Sequence, residues 1–502
     1  MKLLIAIVLL LWTALSFAQA PPAAPVPPPA APAQEAPEPP SPASADTSTP
    51  PPGAATPAAP ETKITPGQAK ELLRSVDEIL EFVSADTGLE IKHRVKRQLA
   101  SRDQVSKYVE SRMKEDEDAQ RLAHSAVVLK KFGLLPRDFE LQKFLLDLLR
   151  EQVAGYYDAK TKTVYLLDWV EPEQQKPVLA HELTHALQDQ NFGLDRLSSH
   201  TKKDDATGLQ EDERQEALQA VVEGQGMLVL MDYMLAPMGS SVAEQPQMVD
   251  AMQAGLTTSG PEMALYNRAP MFLQQVLLFP YKYGTLFERD VLLAGGKQQA
   301  FAGTLQHLPA DTYQIMQPRA YLQGERIAPL LPVDLDKVAP GYQKWDISEL
   351  GAFDVFLLAR EHATPEMAKD LSEAWRGGYY WAARIPGRKQ EEQIPSTADL
   401  AVAYVSRWAD AGAAGRFAGN YSQAVAKRYP GAQQIQGETA PTLQEAAPGT
   451  GIQVTITPQL SGAAAWQTSE GAVTIEPHGD MVLVLEGFDP QTAGAIRRAV
   501  FP

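Results

Sequence analysis

The chain has 502 residues, a formal charge of −17 and no cysteine. The acidic balance argues against nucleic acid and anionic lipid as partners, and the missing cysteines exclude a disulfide scaffold. The length calls for more than one packed unit.

Residues 1–20 read as a cleavable secretory signal. Lys2 supplies the charge, Leu3 to Leu11 the apolar run, and Ala18-Gln19-Ala20 the cleavage site. The run is too short to span a bilayer, and nothing after it reaches about 18 uninterrupted apolar residues. A secreted or periplasmic protein with no membrane span follows, and no feature of the sequence sets an oligomeric state. Residues 21–65 form a Pro/Ala-rich linker: 16 of the chain's 40 prolines fall between 21 and 60. Such a segment lacks the apolar bulk to fold and is expected to be a disordered, extended tether.

From Pro66 to Arg150 the apolar residues recur at helical spacing, as in Leu72-Leu73-Val76-Ile79-Leu80-Val83 and Phe139-Leu141-Phe144-Leu145-Leu148. The basic cluster Lys92-His93-Arg94-Val95-Lys96-Arg97 reads as a solvated helix face. Val153 to Tyr157 and Thr163 to Leu167 read as two strands joined by the turn Asp158 to Lys162.

The next stretch carries chemistry. Pro177 to Gln190 reads as a helix, with Val178, Leu179, Leu183, Ala186 and Leu187 on an apolar face, and contains His181-Glu182-Leu183-Thr184-His185. Residues four apart share a helix face, so both imidazoles can reach one ion, with Glu182 beside it. Two imidazoles and one carboxylate suit zinc, which lowers the pKa of a water it binds to about 7; Glu182 is then the general base.

A third ligand is needed. Gln188 and Asn191 stand where a metzincin requires Gly and His, so a glutamate on a second helix is the expected solution. From Ala217 to Met231 the only charged residue is Glu223, a carboxylate whose burial a cation would offset. Gly224 and Gly226 cost helix propensity but permit close backbone approach. Glu216, two turns earlier, is the alternative ligand. The expected cofactor is one Zn2+ per chain, held by His181, His185 and Glu223.

Residues 194–212 are polar and read as a loop. Residues 243–300 read as helical, broken at Pro261, Pro270 and Pro280. Ala294-Gly295-Gly296-Lys297 lacks the spacing of a phosphate loop, and no G-x-S-x-G supports a serine hydrolase. Asp346 to Glu361 and Pro365 to Trp375 read as helices. Beyond Gly377 come strands at Leu400 to Val405, Ala464 to Trp466, Gly471 to Ile475 and Met481 to Leu485. Helices are expected at Ala413 to Tyr429 and Thr492 to Val500.

The motif helix Val178-Leu179-Ala180-His181-Glu182-Leu183-Thr184-His185-Ala186 resembles the active-site helix of thermolysin-like zinc peptidases, the gluzincins, and Asp189 also fits their pattern. The chain departs at Met227, where those enzymes carry an Asp that orients a ligand His. A broader resemblance, from about residue 95 to the C-terminus, is to a group of secreted bacterial proteins with a His-Glu-Leu-Thr-His-Ala-Leu-Gln-Asp-Gln signature. It includes Gly155-Tyr156-Tyr157-Asp158, Val222-Glu223-Gly224, Tyr313 to Pro318 and Ala374 to Gly378, with Gln317 where that group often has His. A gluzincin also implies an edge strand that binds extended peptide and a Tyr, His or Arg that steadies the oxyanion. Tyr281, Tyr283, His307, Tyr313 and Arg319 are the candidates for that role.

The expected fold is therefore α+β: a mostly helical zincin-like metallopeptidase region at 66–376, with a small β-hairpin before the active-site helix, and a smaller C-terminal α+β module at 377–502. The expected function is a secreted zinc peptidase acting on a peptide or protein substrate. The alternatives are a secreted metal-binding protein that keeps the fold and cleaves nothing, suggested by Met227, and a tethered envelope structural protein, suggested by the linker.

Overall fold

The computed structural model describes residues 63–115, 117–152, 155–198, 209–256, 264–387, 394–437, 440–443 and 456–502. The signal, almost all of the linker, Val153, Ala154 and Pro261 lie outside the described residues. The described chain is an α+β protein.

Helix α1 (Pro66–Thr87) starts from a reciprocal cap. The Thr65 hydroxyl accepts from the Gln68 N–H, and the Gln68 side chain accepts from the Thr65 N–H. The chain then enters β1 (Lys96–Ala100), which corrects the helix expected at Lys92 to Arg97. Within this strand exposure alternates and Val95 just before it is buried, so the basic/apolar alternation is the two-residue period of a strand. Helices α2 (Arg102–Glu115), α3 (Glu117–Phe132) and α4 (Leu141–Gln152) follow. Strands β2 (Tyr156–Asp158) and β3 (Thr163–Leu167) pair antiparallel, and β1 joins β3 in parallel, in the order β1-β3-β2. This leaves β2 at an edge.

Helix α5 (Pro172–Phe192) packs against α1 and against α6 (Glu211–Leu235). Residues 177–189 of α5 are all buried, so the motif lies on a central helix and not on an amphipathic surface one. Helix α7 (Met271–Lys297) packs along α6. Their backbones meet at two glycines: a Cβ at Gly224 would stand 2.3 Å from the Gly284 carbonyl oxygen, and one at Gly284 would stand 2.0 Å from that of Ala220.

Pro280, expected to break this helix, lies inside α7. An interior proline costs about 3 kcal/mol. Here Phe272, Leu273, Leu277, Phe279 and Tyr281 are all buried around it, and burial of one such side chain contributes about 1.5–3 kcal/mol. The departure from helical geometry falls instead at Gly296, with φ 74° and ψ −179°.

The rest of the chain builds a seven-stranded sheet. Its strands are β4 (Gln343–Glu349), β5 (Trp375–Arg384), β6 (Leu400–Trp408), β7 (Gln433–Gln436), β8 (Ala464–Thr468), β9 (Gly471–His478) and β10 (Met481–Glu486). Their order is β4-β5-β6-β10-β9-β8-β7, and every pair is antiparallel. The segment expected to be one helix from Asp346 divides into β4 and α8 (Ala352–His362). The division falls at Gly351, whose N–H donates to Asp354 Oδ2 at 3.1 Å and caps the new helix. Helix α9 (Pro365–Ala374) leads into β5.

Side chains of β5 alternate between two cores. Tyr379, Trp381 and Ala383 join Ile496 and Val500 of α11 (Pro490–Val500) on one face. Tyr380 and Ala382 face the other way, together with Phe417 of α10 (Ala411–Arg428), in a core continuous with the helical half of the chain. Phe132 of α3 meets Tyr380 and Tyr404 edge-on, at 5.9 and 6.0 Å between ring centroids.

Candidate metal centre

Helix α5 lifts His181 and His185 toward α6, one turn apart, and α6 answers with Glu223. His185 Nε2 lies 2.9 Å from His181 Nε2. Glu223 Oε2 lies 3.1 Å from His181 Nε2 and 3.6 Å from His185 Nε2. These three form a buried group able to hold one metal ion. Each is at most 3 % exposed. Gly226, one position along the helix face from Glu223, makes room for the first imidazole: a Cβ there would stand 2.7 Å from His181 Nδ1 and Cε1.

Glu182 stands beside the group. Its Oε2 accepts the backbone N–H of Tyr157 at 2.8 Å. Among the described residues, Glu182 Oε1 and Glu223 Oε1 are buried with no hydrogen-bond partner. Orphaned carboxylate oxygens in so dry a place are expensive unless a cation or a bound molecule meets them.

The charges follow from burial and proximity. Burial pushes Glu182 up to about 8; Glu223 adds to this, while His185 and the Tyr157 N–H oppose it. Burial opposes the charge on Glu223 too, yet His185 and His181 beside it hold it down to about 2. Burial pulls His185 down, but the Glu223 carboxylate outweighs it and carries the imidazole up to about 9. His181 is lowered by burial and by its neighbour His185.

The other expected site residues divide. Tyr281 is at the centre: its ring lies 6.4 Å from that of His181, and burial together with Glu223 and Glu182 pushes its hydroxyl well above the ordinary tyrosine value. Asp189 is one step out. Its Oδ2 accepts the Tyr157 hydroxyl at 2.8 Å and Lys162 Nζ at 2.6 Å, which ties the β2–β3 hairpin to α5. Glu216 is not in the group that could hold a metal ion. It is buried near Asp212, Glu213 and Asp354, where burial and these carboxylates push it well above its ordinary value. Tyr283 packs on Phe279 and Phe353. Tyr313 lies under the Arg376 guanidinium, and His307 and Arg319 are exposed. Gln317 donates to Glu373 Oε1 at 3.1 Å.

Two contacts at the candidate site escaped the sequence. Tyr157 contacts α5 twice, through its N–H on Glu182 and its hydroxyl on Asp189. Gln188 accepts from His185 Nδ1 at 2.8 Å. The second had a signal, because residues three apart share a helix face; the first did not, because it depends on how the hairpin docks.

Comparison of the chain with protein-family models, with characterised proteins and with solved structures gives no match in any of the three.

Proposed function

We propose that the protein is a secreted zinc peptidase of gluzincin type, with a zincin-like core built on α5 and α6. The observation that carries this reading is the convergence of His181, His185 and Glu223 with Glu182 beside them. Their donor atoms, 2.9, 3.1 and 3.6 Å apart, bracket the spacing of about 3.3 Å that zinc bonds of about 2.0–2.1 Å set in a tetrahedral site. Zinc bound there supplies a Lewis acid that acidifies water to a pKa of about 7.

Glu182 is the general base. With Oε2 held by Tyr157, Oε1 is left to take a proton from the attacking water and deliver it to the leaving amine. The Tyr281 hydroxyl, kept protonated by its surroundings, donates to the carbonyl oxygen as negative charge develops there. The substrate is an extended peptide or an unfolded protein segment, paired along the outer edge of β2. Secretion rests on the N-terminal signal. Among the described residues no helix is long and apolar enough to cross a membrane.

One observation favours a second reading, a metal-binding protein that cleaves nothing: His181, Glu182, His185, Glu223 and Tyr281 are all at most 3 % exposed, so substrate entry requires the chain to open. The two readings part on one experiment. Wild type and Glu182→Gln are incubated with an unfolded protein and a peptide library, with and without a chelator. Cleavage by wild type that the chelator abolishes, and that Glu182→Gln loses by about 10²-fold or more, supports the peptidase. A zinc-loaded wild type that leaves the library uncut supports the binding protein.

A further inference from the structure

The geometry points to a positioning device behind the metal-binding group: we propose that Gln188 and Gln225 form an amide relay that fixes His185 as the Nδ1–H tautomer and so presents Nε2 to the ion. This rests on the metal reading above and adds two residues to it.

The relay can be read without ambiguity because backbone carbonyls anchor both amides. The Gln188 amide reaches the Val222 carbonyl at 3.1 Å and Gln225 Oε1 at 2.8 Å. A carbonyl only accepts, so the end of Gln188 facing Val222 must be its NH2 group. At the far end, the Gln225 amide reaches the carbonyls of Ala300 at 2.8 Å and Phe301 at 3.1 Å, and the Thr304 hydroxyl at 2.9 Å. The same argument makes that end NH2, so Gln225 Oε1 turns back toward Gln188 and accepts from it. Gln188 then has only its oxygen left for His185. An oxygen can only accept, so a proton lies on His185 Nδ1, and Nε2 is the nitrogen left to meet an ion. That nitrogen is the one 3.6 Å from Glu223 Oε2 and 2.9 Å from His181 Nε2.

The relay also spans three helical segments. It starts on α5, crosses α6 and ends on 300–304, just past α7. Both glutamines are fully buried, so a broken link has no water to replace it. The orientation of one imidazole is thereby fixed by a segment more than a hundred residues away. Hydrogen bonds of this kind behind a ligand histidine commonly change metal affinity about 10–100-fold.

The test measures zinc affinity of the full mature chain by competition with a chromophoric chelator, in wild type, Gln188→Leu, Gln225→Leu and Gln174→Ala. Gln174 is exposed on the same helix and serves as the control. Thermal unfolding of each variant reports whether it is folded. Histidine-selective 15N spectra of the zinc-loaded proteins report the hydrogen-bonded Nδ1–H of His185, which a purely structural role for Gln188 would leave in place. The expected result is a loss of about 10–100-fold for Gln188→Leu together with the disappearance or shift of that signal, a smaller loss for Gln225→Leu, and none for Gln174→Ala. Equal zinc affinity in wild type and folded Gln188→Leu overturns the relay and leaves the metal site standing. A wild type that binds no zinc overturns the metal site and the relay with it. Should Gln188→Leu fail to fold, Gln225→Leu decides: an unchanged His185 signal and affinity overturn the proposal.

Discussion

The backbone N–H of Tyr157 donates to Glu182 Oε2 at 2.8 Å, and the hydroxyl of the same tyrosine donates to Asp189 Oδ2 at 2.8 Å. One residue of an edge strand thus holds α5 at two points two turns apart. The main-chain contact orients the carboxylate without using a side chain, while the hydroxyl contact secures the hairpin. The two can be separated. Tyr157→Phe keeps the N–H on Glu182 and loses the bond to Asp189, which retains Lys162 and the Leu194 N–H. Hydrogen bonds to charged groups contribute about 1.5–3 kcal/mol, and the remaining partners place this loss at the lower end. Thermal unfolding of Tyr157→Phe should show that loss with metal content unchanged; a variant as stable as wild type would mean that the hydroxyl does not secure the hairpin.

Glu223 and Glu216 sit two turns apart on α6, and only Glu223 reaches the histidines. Glu223→Ala should remove bound metal, as His181→Ala and His185→Ala should, by elemental analysis of freshly purified protein against one zinc per chain in wild type. Glu216→Ala should leave it in place. Exchange of those two outcomes would move the third ligand to Glu216.

The glycines of α6 make opposite demands. A methyl at Gly224 meets the backbone of Gly284, which cannot yield without separating α6 from α7; overpacking of this kind costs about 1–3 kcal/mol. A methyl at Gly226 meets the His181 ring first. Gly224→Ala should therefore lower the unfolding temperature more than Gly226→Ala, and Gly226→Ala should weaken metal binding by displacing the imidazole. Unfolding curves and zinc titrations on both variants check the pair, and a Gly226→Ala protein with wild-type zinc affinity would contradict it.

The three residues of the candidate metal centre were legible because their signals are local or compositional. His181 and His185 lie one turn apart on one helix, and Glu223 is the lone charge in an apolar run. Four strands of the large sheet, β6, β8, β9 and β10, and the helices α10 and α11 were legible too, as short apolar runs and as helical spacing, whereas β5 and β7 were not. What failed depends on distant partners. Lys96–Ala100 is a strand only because β3 lies beside it, and β4 only because β5 does. Pro280 stays in a helix because the side chains around it are buried against other elements. The hairpin shows in the sequence, but the meeting of its edge N–H with Glu182 does not. In the sequence Gln188 shows only as a residue that is not glycine, and its value depends on Gln225, 37 positions away.

Buried carboxylates give the protein an unusual pH dependence. Near the start of α6 lie the buried or half-buried carboxylates of Glu213, Glu216, Asp311, Glu349 and Asp354. Burial raises all of them: Glu349 to about 8, Asp311 and Asp354 to about 6, and Glu213 and Glu216 well above the usual value. Neighbouring carboxylates add to the rise for Glu213, Glu216, Glu349 and Asp354, and Arg214 opposes it at Glu349. A carboxyl whose folded pKa exceeds its unfolded value binds more protons in the native state. Its contribution is complete below the unfolded value, 4.5 for Glu349 and 3.8 for the aspartates, and is lost as pH rises through the folded value. Glu486 acts in the opposite sense. Burial opposes its charge, but Arg428 and Lys131 hold it low, so its contribution is lost as pH falls below 4.5. Stability should therefore be greatest in mildly acidic solution and decline toward pH 8. Unfolding temperatures measured across that range should fall less steeply for Glu349→Gln, which has no proton to lose. An equal decline in wild type and variant would show that Glu349 is not the group that titrates.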